Sequence, residues 1–235
     1  MNYFFKTLSM AVFFLAVKAP ADDAPTKVKV NFAKIYVAQG FDSNDKVQIV
    51  GEGIYTNGCF RNAETKVRVD HVQKVISLTP FAYKYDGICI QVVLPFDRVV
   101  DIGILKAGTY KVRLDGQSNF LGDVMTTVAA TKNPDDFNYA PISQAFFRNN
   151  GQNNIVSLTG EFPNSCMSLK EVKFDVQPDV LVVQPIAQME ERTDCKDGRF
   201  YFEKDTDVGP MKQGRYLLHV RSMNGKAINN LVDVR

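Results

Sequence analysis

The feature that most constrains this chain is an internal duplication with a period of about 106 residues. Each copy contains the pattern G-x-aromatic-x-N-x-C, then a second cysteine about 30 residues later, and then a Gly-x-Tyr segment. The first cysteine recurs after 107 residues, and the second cysteine, the glycine and the tyrosine each recur after 106. Because these positions recur at a nearly constant spacing over this distance, they indicate a duplicated module. They are Gly53, Cys59, Cys89, Gly108 and Tyr110 in the first copy, and Gly160, Cys166, Cys195, Gly214 and Tyr216 in the second.

The period has the size of a domain and exceeds the roughly 20–50 residues of solenoid and propeller repeats. Between the copies, Pro134 and Pro141 flank polar turn-forming residues that show neither helical nor strand periodicity. We therefore expect a first repeat over 22–131, a linker over 132–141 and a second repeat over 142–235.

Short β-branched or alternating runs follow one another in each copy, and no window shows a helical period with caps. About seven such runs in about 100 residues are typical of an immunoglobulin-like β-sandwich. The predicted fold class is all-β, with two tandem Ig-like antiparallel β-sandwiches that each contain one disulfide. The predicted strands are 27–37, 46–55, 65–70, 73–79, 88–94, 109–114 and 123–128 in the first copy, and include 154–162, 180–186, 199–203, 215–221 and 228–234 in the second.

Four cysteines permit three disulfide connectivities. Because independent copies should each close their own loop, the duplication favours the pairs Cys59–Cys89 and Cys166–Cys195. In the chain-entropy model, a disulfide that closes a loop of about 30 residues stabilises the fold by roughly 3–4 kcal/mol. We expect neither a zinc site nor a thiol nucleophile, because there is no C-x-x-C motif and every cysteine has a structural partner.

The N-terminal residues are typical of a secretory signal peptide. Lys6 supplies a positive charge, residues 8–17 form an apolar run too short to span a bilayer, and Ala19 and Ala21 form an A-x-A cleavage pattern. We therefore expect a signal peptide over 1–21, export, and a location in the periplasm or outside the cell. No later stretch approaches transmembrane length, so membrane insertion after cleavage is not expected.

The charge balance narrows the choice of partner. Removing Lys6 and Lys18 with the signal peptide leaves 26 basic residues against 26 acidic ones. A neutral chain argues against nucleic acid, which needs a clustered excess of Lys and Arg. The expected partner is a protein or an envelope component, and the sequence leaves the oligomeric state open.

Four short segments carry a resemblance to a known group. GFDSND at 40–45, NGCF at 57–60, GTYKV at 108–112 and PNSCM at 163–167 resemble the G-F-D-x-N-D, P-N-x-C-aromatic and G-x-Y-x-V landmarks of a group of uncharacterised exported bacterial proteins with tandem Ig-like β-sandwich modules. The first copy departs from the group at Thr56, where the motif has proline. The resemblance implies export and the sandwich fold. It implies no catalytic residue, because no activity is established for the group.

One loop contains a cluster of hard oxygen ligands, the donors that calcium prefers in extracellular modules. Asp42, Asn44 and Asp45 are its candidate calcium ligands, and calcium is the one candidate cofactor. The second copy has no acidic residue at the corresponding place. A turn stabilised by Asp and Asn side chains explains the segment equally well.

Three aromatic residues at alternate positions share one strand face, namely Phe81, Tyr83 and Tyr85. Packing in the core or across strands is the favoured interpretation. If they are exposed, they are candidate binding residues for a sugar or a partner protein.

Catalytic chemistry has little support in the sequence. His71 and His219 occupy non-equivalent positions, and G-x-S-x-G, phosphate-loop and dinucleotide motifs are absent. The favoured function is therefore a non-enzymatic exported binding or structural protein. The alternatives are an inhibitor or chaperone-like module that offers a strand edge, and a hydrolase with a carboxylate pair such as Asp97/Asp101 or Asp205/Asp207.

Overall fold

The computed structural model describes residues 24–149 and 153–235, so the predicted signal peptide lies outside the described residues. The described chain forms strands and no helix, and therefore contains no helix long and apolar enough to cross a membrane. We call the first nine strands the first module: β1 (Thr26–Lys29), β2 (Phe32–Val37), β3 (Phe41–Asp42), β4 (Lys46–Tyr55), β5 (Phe60–Asp70), β6 (Val75–Lys84), β7 (Leu94–Ile104), β8 (Gly108–Leu114) and β9 (Phe120–Thr127). The second module comprises β10 (Ile142–Asn149), β11 (Asn154–Asn164), β12 (Met167–Val176), β13 (Val180–Met189), β14 (Asp197–Asp207), β15 (Gly214–Ser222) and β16 (Lys226–Val234).

Each module consists of a small and a large sheet, which confirms the predicted fold class. The first small sheet has the order β2-β4-β7, and the second has the order β10-β11-β14. The first large sheet has the order β1-β6-β8-β9-β3, with β5 also paired to β6, and the second has the order β12-β13-β15-β16. Most strand pairs are antiparallel, as predicted. Each large sheet also contains an equivalent parallel pair, β6 with β8 and β13 with β15.

Side-chain alternation explains which face of each strand is buried. In β5, Val67 and Val69 pack on the first core, while the alternating residues Lys66 and Arg68 point outward. The same alternation places Tyr110 and Val112 of β8 in the core. In the second module the main core forms from Leu158 of the small sheet against residues of the large sheet, Leu181, Val183, Leu218 and Val220.

The two modules also pack against each other, sheet on sheet. Tyr36 and Val50 on the first small sheet, and Val182 and Leu217 on the second large sheet, point away from their own module's core and are nevertheless buried. Val182 and Leu217 belong to the first hydrophobic cluster, whereas their sequence neighbours in β13 and β15 belong to the second. The outer face of the first small sheet therefore covers the outer face of the second large sheet.

Polar pairs flank this interface. Arg215 Nε lies 2.7 Å from Glu52 Oε1, and Lys34 Nζ lies 3.2 Å from Asp179 Oδ2. The side-chain amide of Asn229 donates a hydrogen bond of 2.8 Å to Gln48 Oε1. Burial raises the pKa of Tyr36, and the hydrogen bond that it donates to Glu52 adds to this effect.

Two strand predictions for the first copy were wrong. Residues 88–94 were predicted as a strand, but residues 88–93 cross from the large sheet to the small sheet and have no ladder partner among the described residues, and only Leu94 belongs to a strand. The strand forms later, as β7, where Phe96 and Val100 are buried. The predicted strand 27–37 is divided into β1 and β2, which pair with different sheets.

The segment between the modules contains little regular structure. Residues 132–141 lie between β9 and β10 and contain one isolated bridge, from Tyr139 to Ile186. The backbone of Ala140 donates to Pro185 O, so the end of this segment lies along β13. The domain boundaries themselves stay predictions.

Candidate functional site

The repeated motif builds the same turn in both modules. Asn57 Oδ1 accepts a hydrogen bond of 3.0 Å from the backbone N–H of Cys59, and Asn164 Oδ1 accepts one of 3.0 Å from Cys166. An Asn side chain that accepts from the N–H two residues later forms an Asx turn. The Asn of the motif therefore positions the first cysteine of each disulfide.

The glycine and the aromatic residue of the motif pack on one partner strand. In the first module, Tyr55 stacks on Phe96 with ring centroids 4.2 Å apart, and a Cβ on Gly53 would lie 2.6 Å from the Phe96 ring. In the second module, Phe162 stacks on Phe202 at 4.6 Å, and Gly160 lies against the same ring. Phe96 and Phe202 are 106 residues apart and form a sixth landmark of the duplication, which the sequence pattern alone did not reveal.

Both predicted disulfides are confirmed. Cys59 pairs with Cys89 and Cys166 pairs with Cys195, each with a Cα–Cα distance of 5.4 Å. Each bridge joins the Asx turn to the loop that connects the two sheets of its module. Two disulfides in one chain are typical of an oxidising, non-cytoplasmic compartment.

The two disulfide-linked loops differ in the chemistry of their exposed side chains. In the first module, the 86–93 loop exposes a series of apolar side chains, with Ile88 fully exposed, Ile90 77% exposed and Val93 64% exposed. The corresponding loop of the second module, residues 190–196, is exposed and consists mostly of charged residues. The backbone holds the 86–93 loop in place, because Gly58 N–H donates to Ile90 O at 2.9 Å. The result is a preformed apolar loop on a rigid base.

The predicted aromatic residues lie beside this loop. Tyr83 and Tyr85 are exposed and do not pack in the core, although Tyr83 lies opposite Lys27 and Arg61 on the neighbouring strands, while Phe81 is half-buried. Phe81 lies under two ammonium groups, with Lys27 Nζ 4.7 Å and Lys66 Nζ 5.5 Å from its ring centre. Their role as binding residues stays a prediction.

The candidate calcium ligands form a hydrogen-bonded turn of their own. Asp42 Oδ1 accepts from the backbone of Asn44 at 3.0 Å, and Asp45 Oδ2 accepts from the backbone of Asp42 at 2.9 Å. The side chain of Asn44 donates to the carbonyl oxygens of Thr131 and Asn133. Across residues 24–149 and 153–235, no group of three or more His, Cys, Asp or Glu side chains is placed to hold a metal. Calcium binding at this turn stays a prediction.

A buried polar cluster at the module interface was not found from the sequence. Arg221 Nη2 donates to the carbonyl oxygen of Gly40 at 2.5 Å, and Arg221 Nη1 lies 3.7 Å from Asp45 Oδ2. Burial raises the pKa of Asp45, since this desolvation outweighs the attraction of Arg221. The ring of His219 lies edge-on to Phe41, with centroids 5.8 Å apart. Arg221 of the second module thus contacts both Gly40 and Asp45 of the first module.

The structure places four of the remaining catalytic candidates, His219, His71, Asp205 and Asp101, against other residues of their surroundings. His219 is fully buried, and burial lowers its pKa to about 4, so its imidazole is neutral near pH 7. His71 Nδ1 lies 3.0 Å from the Tyr110 hydroxyl in the first module, far along the chain from His219. Asp205 pairs with Arg148 at 2.6 Å, and Asp101 accepts from Gln48 at 2.6 Å.

Fold and site together define a tandem β-sandwich with two disulfides and one preformed apolar loop. The family model described as the ORF11 beta-sandwich domain matches residues 49–122, from within β4 to within β9. The match includes Cys59 and Cys89 and spans less than half of the chain, so it supports the β-sandwich fold and assigns no function. Comparisons with curated proteins and with solved structures return no match.

Proposed function

We propose that this protein is an exported, non-enzymatic binding module that engages a partner protein of the bacterial envelope through the 86–93 loop. The observation that carries the proposal is the exposure of Ile88, Ile90 and Val93 on a loop anchored by the Cys59–Cys89 disulfide. Contiguous exposed apolar side chains on a folded protein mark interaction sites.

The anchoring of this loop supports a binding role. A disulfide and a backbone hydrogen bond restrain the loop before any partner arrives, so little conformational entropy is lost on binding. Tyr83 and Tyr85 lie next to it and offer the flat amphipathic rings that are enriched in interfaces. The charged 190–196 loop of the second module is anchored by an equivalent disulfide but lacks the exposed apolar side chains. The binding function is therefore assigned to the first module.

Export is supported by three independent features. They are the signal-peptide pattern over 1–21, the resemblance to exported bacterial proteins, and the two disulfides, which form and persist in oxidising compartments.

The experiment is affinity capture followed by a measured dissociation constant. The oxidised protein is immobilised, envelope proteins from its own organism are passed over it, and the captured protein is identified, purified and titrated calorimetrically. We expect the double variant Ile88→Ser/Ile90→Ser to weaken binding about a hundredfold, because truncated hot-spot residues typically cost 2 kcal/mol or more. Val72→Ser is the matched control, since Val72 is equally exposed on the turn at the other end of the β5–β6 hairpin. Equal binding by all three proteins would overturn the assignment of the loop.

A second candidate function uses a strand edge. β14 is the end strand of the second small sheet, so the main-chain groups of one of its sides are open to strand addition by a peptide. An inhibitor or chaperone-like module would bind in this way. A partner whose affinity drops with changes in β14 and is unaffected by Ile88→Ser/Ile90→Ser would select this alternative.

A further inference from the structure

We propose that copies of this protein associate head to tail. The outer face of the second small sheet of one copy docks on the outer face of the first large sheet of the next copy. This inference is independent of the 86–93 loop and uses faces on the opposite sides of the two modules from their mutual interface.

The internal interface supplies the pattern for this contact. The duplication makes the second small sheet equivalent to the first small sheet, and the first large sheet equivalent to the second large sheet. Inside one molecule, a small-sheet face already covers a large-sheet face, through Val50 and Val182 among others. Within residues 24–149 and 153–235, one small-sheet face and one large-sheet face are left uncovered. A contact between two different faces leaves one of each free at the ends, so it continues into a chain or closes into a ring.

The free face of the first large sheet is predominantly basic. Register and alternation place seven basic side chains outward on it, against four acidic ones, which are Glu64, Asp70, Asp123 and, directly after β8, Asp115, 3.1 Å from Arg68. Glu64 pairs with Lys27, and Asp123 lies 3.7 Å from Lys111. The basic side chains are Lys27, Lys29, Arg61, Lys66, Arg68, Lys111 and Arg113.

The free face of the second small sheet is predominantly acidic. Its outward positions carry two arginines, Arg148 and Arg199, which pair with Asp205 and Glu161 respectively. Two further carboxylates on β14 add to the negative charge of this face, at Glu203 and Asp207. The exposed rings of Phe146 and Tyr201 lie on the same face and supply apolar contact area. The two free faces are thus opposite in charge.

Comparison with the internal interface indicates how strong the contact is. The parallel ladders place Ser77 opposite Arg113 where the second module places Val182 opposite His219, and Lys111 occupies the position of Leu217. Charged and hydroxyl side chains thus replace the apolar centre of the internal interface. The association between copies is therefore reversible and weakened by salt, which screens exposed charges.

The experiment measures self-association by sedimentation at a series of protein concentrations and salt concentrations. The full chain is expressed in an exporting host and the oxidised product is purified. We expect concentration-dependent association at about 0.05 M salt that weakens at least tenfold at about 0.5 M salt. Lys66→Glu/Arg68→Glu removes the excess of basic side chains from the first face, and Glu203→Lys/Asp207→Lys makes the second face basic, so each variant on its own is expected to be monomeric. Lys106→Glu/Lys132→Glu, which changes the charge by the same amount at exposed positions outside both faces, is expected to associate like the wild type.

Mixing the two reversed variants is the decisive measurement. Each then presents a face complementary to the other, so association is expected to return to within a few-fold of the wild type, which also shows that both variants are folded. A wild-type protein that stays monomeric at low salt would overturn the proposal. So would a mixture that does not associate. Monomeric protein that binds heparin through Lys66 and Arg68 would instead assign the basic face to an anionic polymer.

Discussion

At the module interface, the burial and protonation of polar side chains depend on residues of both modules. His219 lies outward on β15, where an exposed side chain would be expected, and is buried only because the first module covers it. Its Nδ1 lies 2.7 Å from Asn229 Oδ1, and that same amide donates to Gln48 of the first module. Protonating His219 would place a positive charge beside Arg221 without solvent, so the neutral form is favoured.

The lowered pKa of His219 predicts a dependence of stability on pH. Its folded-state pKa is about 4, against an ordinary value of 6.5. Between these values the unfolded chain binds a proton that the folded chain does not, so the free energy of unfolding falls as the pH is lowered from about 6.5 to about 4. The loss should approach roughly 3 kcal/mol at the lower end. Urea unfolding at a series of pH values measures it.

The control for this measurement is His219→Gln, which keeps a polar side chain and cannot titrate. The raised pKa of Asp45 acts in the opposite direction, because the folded chain then takes up a proton more readily, and both proteins share this effect. The difference between the two pH profiles therefore isolates His219. Parallel profiles would contradict the prediction.

At the scale of the element, β4 and its equivalent β11 explain why the duplicated motif begins with glycine. β4 passes directly beneath Phe32 and Phe96, and its Gly51 and Gly53 leave room for those rings. The motif could be recognised in the sequence, but the reason for its glycine could not. The ring that requires the glycine belongs to Phe96, which is 43 positions further along the chain and lay outside every predicted strand.

A methyl group at Gly53 is therefore expected to destabilise the first module. The added Cβ would lie 2.6 Å from the Phe96 ring and 2.5 Å from Asn31 O, so strands must shift to accommodate it. We expect Gly53→Ala to lower the free energy of unfolding by about 1–3 kcal/mol, measured by urea denaturation. Gly58→Ala is the matched control, because the nearest atom to its Cβ is at 3.5 Å, and it should change stability by less than about 0.5 kcal/mol. If both substitutions lower the free energy of unfolding equally, the close packing of Gly53 is not the cause of the destabilisation.

At the scale of the whole molecule, the modules use equivalent faces differently. The second large sheet has buried residues on both sides, with Leu181 and Val183 facing its own core and Val182 facing the first module. The first large sheet has Ser77 at the position equivalent to Val182, next to the outward Lys111 and Arg113. The duplicated module is thus adapted to its position in the tandem.

Because the two modules share a buried interface, we expect a charge placed in that interface to lower the stability of the whole chain. Val182→Asp places an unpaired carboxylate among buried apolar residues without touching the second module's own core, and should cost about 3 kcal/mol. Scanning calorimetry is expected to show one wild-type transition that separates into two in the variant. Val176→Asp is the control, because Val176 is exposed on the same sheet. A single unchanged transition in Val182→Asp would contradict a coupled interface.

The module, its disulfides and most of its strands could be predicted from the amino-acid sequence, because these depend on spacing and alternation along the chain. Both bridges follow from the duplication, and β4, β8 and β11 follow from β-branched alternation. It misplaced the strand at 88–94, because a strand needs a partner as well as propensity. The exposed loop at those residues, the position of Tyr83 and Tyr85 outside the core, and the approach of Arg221 to Asp45 and His219 became visible only in the folded chain. The physical reason is that exposure and ion pairing depend on residues distant in the chain, and one module's face is buried only where the other module covers it.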